Sequence, residues 1–276
     1  MKNIIVCIKQ VPDTAEVKIN PETNNLMRDG VPSIMNPADR TALECALSIK
    51  AEQNACVTVI SMGPPQAKTE LESALQMGAD RAILLCDRKF GGADTLATSY
   101  ALAQAIAKLP HDLILCGVEA IDGCTGQVGA MIGETLSIPA FTYVDSISID
   151  DNSAVIVRDT GNLAETYEAE LPVVACVLKK TPRLKAISAN DTEVEVWDAS
   201  LADETKIGAK GSPTRVVSIQ TASRKSSYLY VHYDWSLEQR MEHIFNAGIE
   251  QKGNKPLRGS ADELARYLIS ELYQRR

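Results

Sequence analysis

Apolar residues along this chain follow two rhythms. From residue 2 to about residue 138, short continuous apolar runs alternate with amphipathic stretches of helical length. The runs 3–8, 56–61, 81–86 and 112–116 are rich in Val, Ile and Leu, the composition of strands buried on both faces. The first intervening helix opens at Asn36-Pro37, where Asn36 is placed to cap free N–H groups and Pro37 fits the first helical position. Leu43, Ala46, Leu47 and Lys50 follow at helical spacing, Lys50 with its head in solvent. A second helix, about 65–76, is stopped by Gly78, and a third, about 93–108, by Pro110. This order predicts an α/β fold, a mostly parallel sheet with helices on both faces.

From Phe141 the period becomes two. The runs 142–149, 154–158 and 164–170 read as antiparallel strands joined by Asp-Asp and Thr-Gly-Asn turns, and 173–178 can return to the sheet. Residues 16–29 lack helical spacing and read as a small strand–turn–strand excursion around Asn20-Pro21 and Asn24-Asn25. Residues 181–227 are polar and aperiodic, a linker or an arm. Tyr228, Tyr230, His232, Tyr233 and Trp235 then crowd into eight residues. They read either as an aromatic strand covering the sheet or as an arm that clasps a partner. Helices at about 236–248 and 261–274 follow, the second marked by the capping box Ser260-Ala261-Asp262-Glu263. The division this predicts is a nucleotide-binding α/β domain at 1–185, then a C-terminal arm and helices at 186–276.

Charge narrows the choice of partner. Lys and Arg number 28 against 36 Asp and Glu, a formal charge of −8 that disfavours a broad footprint for nucleic acid or anionic lipid. No apolar stretch approaches the length that spans a bilayer, and the expected location is the cytoplasm without membrane insertion. Of the seven cysteines, Cys7, Cys56, Cys86, Cys116 and Cys176 fall inside apolar runs and read as buried thiols in a reducing compartment. There is no CxxC pair, and His111, His232 and His243 have no metal-ligand spacing, so no metal site is expected.

In an open parallel sheet, ligands bind beyond the carboxyl ends of the strands. The loop after the first strand, Lys9-Gln10-Val11-Pro12-Asp13, has no glycine fingerprint; GxGxxG is absent from it, and GxxxxGK[ST] is absent throughout. After the second strand, Gly63 in the 61–67 loop permits close backbone approach, an arrangement also common in ordinary strand-to-helix turns. After the third, Asp94 or Thr95 can cap the next helix or touch a ligand, and capping is the simpler reading. The most informative loop follows the fourth strand, from Gly117 to Gly129. Its four glycines, with Asp122, Thr125 and Gln127, can aim several backbone N–H groups at a pyrophosphate. No nucleophile–base arrangement emerges, which favours a binding protein or a protein whose cofactor carries the chemistry.

These loops, in this order, resemble the β-subunit of electron-transfer flavoproteins. The resemblance is carried by Ile8-Lys9-Gln10-Val11-Pro12-Asp13, Ile34-Met35-Asn36-Pro37, Ser61-Met62-Gly63-Pro64, Met77-Gly78-Ala79-Asp80-Arg81-Ala82 and Ala120-Ile121-Asp122-Gly123, and it covers about residues 1–185. It implies a Rossmann-like, adenine-nucleotide α-hydrolase-like domain that pairs with a larger α-subunit and holds FAD or, alternatively, AMP. Carried over by position, the nucleotide contacts are Cys7 through its backbone, Asn36, Met62 and the loop Ala120, Ile121, Asp122, Gly123, Thr125, Gln127, Val128 and Gly129. The length of that loop is similar to flavin-bifurcating members, with Cys124, Gly126 and Ala130 standing where those carry Asp, Ala and Pro. The loops with Gly63 and Gln66, and with Asp94 and Thr95, also resemble the bifurcating group, in which they approach NADH and the flavin ring. The implied partners are the α-subunit, a dehydrogenase, and ferredoxin or flavodoxin as low-potential acceptor. The stretch 184–194, poor in lysine, departs from the family's dehydrogenase-docking pattern. The rival readings are a non-redox adenine-nucleotide sensor on the same fold and a self-contained NAD-dependent oxidoreductase, the latter disfavoured by the missing fingerprint.

Overall fold

The computed structural model describes residues 1–13, 18–19, 26–27, 32–180, 192–214, 236 and 238–241. In chain order its strands and helices are β1 (Lys2–Cys7), β2 (Gln10–Pro12), β3 (Lys18–Ile19), β4 (Leu26–Met27), β5 (Ser33–Met35), α1 (Pro37–Glu52), β6 (Ala55–Met62), α2 (Lys68–Met77), β7 (Arg81–Leu85), α3 (Thr95–Ile106), β8 (Leu113–Gly117), α4 (Val128–Leu136), β9 (Ala140–Asp150), β10 (Ser153–Asp159), β11 (Ala164–Glu170), β12 (Val173–Val177), β13 (Glu195–Trp197) and the short α5 (Gly208–Gly211). Nine strands form one sheet in the order β11-β10-β9-β12-β8-β1-β6-β7-β13. All neighbours are parallel except the β9-β10-β11 meander. This is the α/β fold the apolar runs predict. β3 pairs antiparallel with β4, in keeping with a strand–turn–strand excursion.

Alternation along the central strands sends side chains into two cores. Ile4, Val6, Val57, Val59, Leu113 and Leu115 pack with Leu43, Ala46, Leu71 and Leu75 of α1 and α2. Ile5, Ile60, Ile83, Ile114 and Val174 pack with Ala101, Leu102, Ile106 and Ile132 of α3 and α4. Helices therefore cover both faces, which is why these strands read as continuous apolar runs. Met77 ends α2, and Gly78 follows in the left-handed region at φ 119°.

Three expectations are corrected. Lys50 is not free in solvent: its ammonium donates to Gly78 O at 2.9 Å and Asp80 Oδ1 at 2.5 Å, tying α1 to the turn before β7. Cys7, Cys116 and Cys176 are buried, but Cys56 and Cys86 are only partly so. The polar stretch after 181 is not wholly a linker. Within it, β13 adds a ninth strand beside β7, fixed by the Arg81 guanidinium on Glu195 (2.5 and 2.8 Å), while Ala199, Leu201 and Ile207 join the α3–α4 core. By its contacts the chain forms two compact units, Met1–Gln220 and Thr221–Arg276. The strand and buried side chains after 192 belong to the first.

In the second unit, Gln239 N donates to Ser236 Oγ (3.2 Å) and Ser236 N to Gln239 Oε1 (2.9 Å), a reciprocal capping box where a helix was expected to open. The aromatic run 228–235, the rest of that helix and the 261–274 helix lie outside the described residues. Among the described residues no helix is long and apolar enough to cross a membrane.

Candidate functional site

The chain runs from β1 outward to β6 and β7, then returns to the other side of β1 as β8. The loops leaving β1 and β8 consequently part, and a crevice opens where a doubly wound sheet binds ligands. A cavity of about 660 Å³ lies there, lined by the exits of β1 (Cys7, Lys9) and β6 (Met62), by residues 90, 92–95 and 98, and by residues 116–120, 123 and 125–129.

One wall is the 117–129 loop, and α1 holds it from behind. Asn36 is fully buried, and its side chain does not cap α1. Its Nδ2 donates to Glu119 O (2.9 Å) and its Oδ1 accepts from Ile121 N (3.2 Å). One turn later, Asp39 accepts from Lys9 N at Oδ2 (2.8 Å) and from Gly117 N at Oδ1 (3.0 Å), bridging the exits of β1 and β8. Burial pushes the Asp39 carboxyl up to about 7, against hydrogen bonds from Asn36, Lys9 and Gly117 that pull it down. At the mouth, Lys9 Nζ grips both oxygens of Asp122 at 2.7 Å. The loop then turns through Cys124 and Gly126, both left-handed at φ 49° and 62°, and enters α4, whose N-terminus has no side-chain cap. Gln127, Val128 and Gly129 at that open end line the cavity.

The opposite wall is closed on itself. Asp94 caps α3, its Oδ1 accepting from Leu96 N (3.0 Å) and Ala97 N (3.1 Å). Asp94 N donates to Ser212 Oγ at 2.8 Å, and Thr214 N donates to Asp94 Oδ2 at 3.3 Å, so the segment after α5 is drawn to the cavity. Desolvation raises the Asp94 carboxyl, but the N–H donors of Ala97, Thr214 and Leu96 outweigh it and hold the group below its ordinary value. Thr95 Oγ1 donates to Gln127 Oε1 at 3.1 Å, joining the two walls.

Of the residues singled out from sequence, Cys7, Met62, Asp94, Thr95, Ala120, Gly123, Thr125, Gln127, Val128 and Gly129 line this cavity together. Asn36, Gly63, Gln66, Ile121 and Asp122 do not. Asn36 and Ile121 are spent on each other, Asp122 on Lys9, and Gly63 N on Leu85 O at 3.1 Å. Gln66 is exposed, its carbonyl accepting from Gln10 Nε2 at 3.2 Å. The left-handed turns fall at Cys124 and Gly126, not at Gly123 or Gly129. A Cβ at Gly123 would meet nothing within 4 Å, whereas one at Gly129 would overlap Cys176 Sγ. Sequence reasoning missed Asp39, Phe90, Thr98 and Thr214 as lining residues. Only Asp39 carried a signal, an acid beside Asn36-Pro37, and an acid in a first helical turn ordinarily answers the helix dipole in solvent. Among the described residues, no cluster of His, Cys, Asp and Glu could hold a metal ion.

Comparison with known proteins matches residues 23–202 to the electron transfer flavoprotein domain. The chain is 50% identical over 231 residues to an electron transfer flavoprotein subunit beta of Clostridium acetobutylicum, covering 81% of this chain and 89% of the relative. It is 46% identical over 224 residues to the Caffeyl-CoA reductase-Etf complex subunit CarD of Acetobacterium woodii, with 77% and 85% covered. Protein FixA of Azorhizobium caulinodans is 41% identical over 241 residues, with 81% and 86% covered.

Proposed function

Because the chain belongs to the electron transfer flavoprotein family, among its β-subunits, we propose that the cavity between β1 and β8 holds FAD and that the subunit works with an α-subunit in electron bifurcation. The observation that supports this reading is the lining of the cavity. At one end α4 offers uncapped N–H groups suited to a diphosphate. The same cavity, about 660 Å³, is also lined by Thr95, Asp94, Phe90 and Met62, which a flavin ring would face. Bound there, a flavin would supply two-electron acceptance from NADH and one-electron release to the α-subunit flavin and a low-potential acceptor such as ferredoxin or flavodoxin.

The chain's own part is binding and positioning. The residues that would hold the nucleotide are the backbone of Cys7, the loop from Ala120 to Gly129 and the first turn of α4. Asn36 and Asp39 set the loop's shape from behind, and Asp122 anchors its outer edge through Lys9. Similarity to a subunit of a caffeyl-CoA reductase complex supports a dehydrogenase as a further partner. The test is to co-express the chain with its α-subunit, denature the complex and quantify the released nucleotides by chromatography. Two FAD and no AMP per heterodimer is the expected result; one FAD and one AMP would assign the subunit to electron transfer without bifurcation.

A further inference from the structure

Asp39 holds the two strand exits together, and that positioning role does not use its ionisation. Asp39 is a lining residue of the cavity with 7% of its surface exposed, and its carboxyl bridges the exits of the two strands that form the crevice. Gly117 is what lets it in, because a Cβ there would overlap Asp39 Oδ1. Its hydrogen bonds come from the backbone N–H groups of Lys9 and Gly117 and the Asn36 amide, all neutral donors. The charge of Lys9 also pulls the carboxyl down, although that ammonium is itself held by Asp122. Among the described residues Asp39 forms no ion pair. On α1 itself, Arg40 pairs with Glu44 and Lys50 with Asp80, and the remaining groups carry no positive charge: Glu119 and Asp122 in the loop, Asp94 across the cavity, Cys7 on β1, Cys116 on β8 and Cys176 on β12. Cys116 is pulled down by its hydrogen bond with Cys176 but held well above its ordinary value by Cys7 and burial; Cys176 is held there by Cys116 and burial. Both stay neutral thiols.

Resting on the reading that a nucleotide binds in this cavity, we infer that Asp39 takes up one proton from solvent when the anionic phosphates of the nucleotide enter. A second negative charge brought close to a buried carboxylate disfavours its charged form, as when two carboxylates share one site. The carboxyl is already poised at about 7, so a modest upward push changes its state under ordinary conditions. The proton lets a buried acid and a diphosphate share one cavity, and it makes nucleotide affinity fall as pH rises above neutrality.

The experiment is titration calorimetry of FAD into the nucleotide-stripped α–β complex, in buffers of differing ionisation enthalpy, which reads protons exchanged per ligand bound. The FAD diphosphate does not itself titrate near neutral pH. The expectation is roughly half a proton or more taken up per FAD at pH 8, little below about pH 6, and none at either pH in Asp39→Asn. Uptake below roughly a tenth of a proton at pH 8 in the wild type, or uptake unchanged in the variant, overturns the inference. The wild-type pH profile alone decides it if the variant fails to fold. AMP run in the same way separates the two proposals. If AMP binds and FAD does not, the FAD reading fails, and the proton count is taken at pH 8, above the phosphate's own ionisation near about pH 6. If neither binds, both fail.

Discussion

Helices α3 and α4 present their N-termini to the same cavity, each following a glycine-containing turn beyond a buried strand, and only one of them is closed. Asp94 supplies α3 with the acceptor its first turn needs and then uses its second oxygen on Thr214. Before α4, Gln127 stands at the cap position and makes no cap; its side chain accepts from Thr95 instead. A free helix N-terminus favours negative charge, and a carboxylate already placed there removes both the dipole's attraction and the open N–H groups. Two turns of similar composition thus differ: the helix end is closed by a side chain at α3 and left without a side-chain cap at α4. The deciding feature is one side chain at the cap.

The strongest way to break this contrast is to spoil the open end. Gly129→Ala places a methyl group against Cys176 Sγ and near Cys116, inside a packed core. Overpacking of this kind costs about 1–3 kcal/mol, a fall in melting temperature of roughly 2–4 °C for each kcal/mol. Because the displaced turn is the one that faces the cavity, nucleotide occupancy should fall with it. Adding Cys176→Ala should restore at least half of both losses, read by thermal melting and by chromatography of released nucleotide. Stability recovered without occupancy would mean that α4 is not the anion-binding end.

A milder test acts on the closed end. Asp94→Ala removes the cap of α3 and the link to Thr214, costing about 1–2 kcal/mol in denaturant unfolding of the complex. Asp94→Asn keeps an acceptor and should cost less. The Asp94 carboxyl is held below its ordinary value in the fold, so its contribution is present above that ordinary value, near 3.8, and is lost as pH falls through the lowered one. The wild type should therefore lose this increment only in acid below about pH 4, and Asp94→Asn should not. Nucleotide affinity should change little in either variant; a tenfold loss beyond the stability cost would make α3 a ligand contact as well.

How much of this was legible in sequence follows from which forces act locally. β1, β6, β7 and β8 are buried on both faces, so their apolar runs announced them, and Asp94 was readable as a cap because capping depends on the next three residues. β13 was not legible. It is three residues long, Val196 is 60% exposed, and it holds its place through Glu195 on Arg81, a partner 114 positions away. Asn36 was assigned to the wrong task for the same reason. Its position before Pro37 predicts a cap, and only the tertiary arrival of the 119–121 loop gives its amide better partners. Asp39 was hidden because burial, not sequence, distinguishes it from an ordinary acid in a first helical turn.

The smallest effect, and the sharpest discrimination, belongs to Gly123. A glycine in such a loop can answer a backbone need, either a left-handed turn or close approach to a diphosphate. The turn need is gone, since φ is positive at Cys124 and Gly126 instead, and a Cβ at 123 would find open space. The substitution Gly123→Val should therefore shift unfolding free energy by no more than about 0.5 kcal/mol, the range of surface changes that touch nothing. The residue nonetheless lines the cavity, so three added carbons would stand in the space a nucleotide requires. Affinity should drop severalfold at unchanged melting temperature, measured by calorimetry on the stripped complex. A matched fall in melting temperature would restore the tight-turn explanation. Unchanged affinity would show that the nucleotide lies deeper, against the open end of α4 alone, and that the outer loop only borders it.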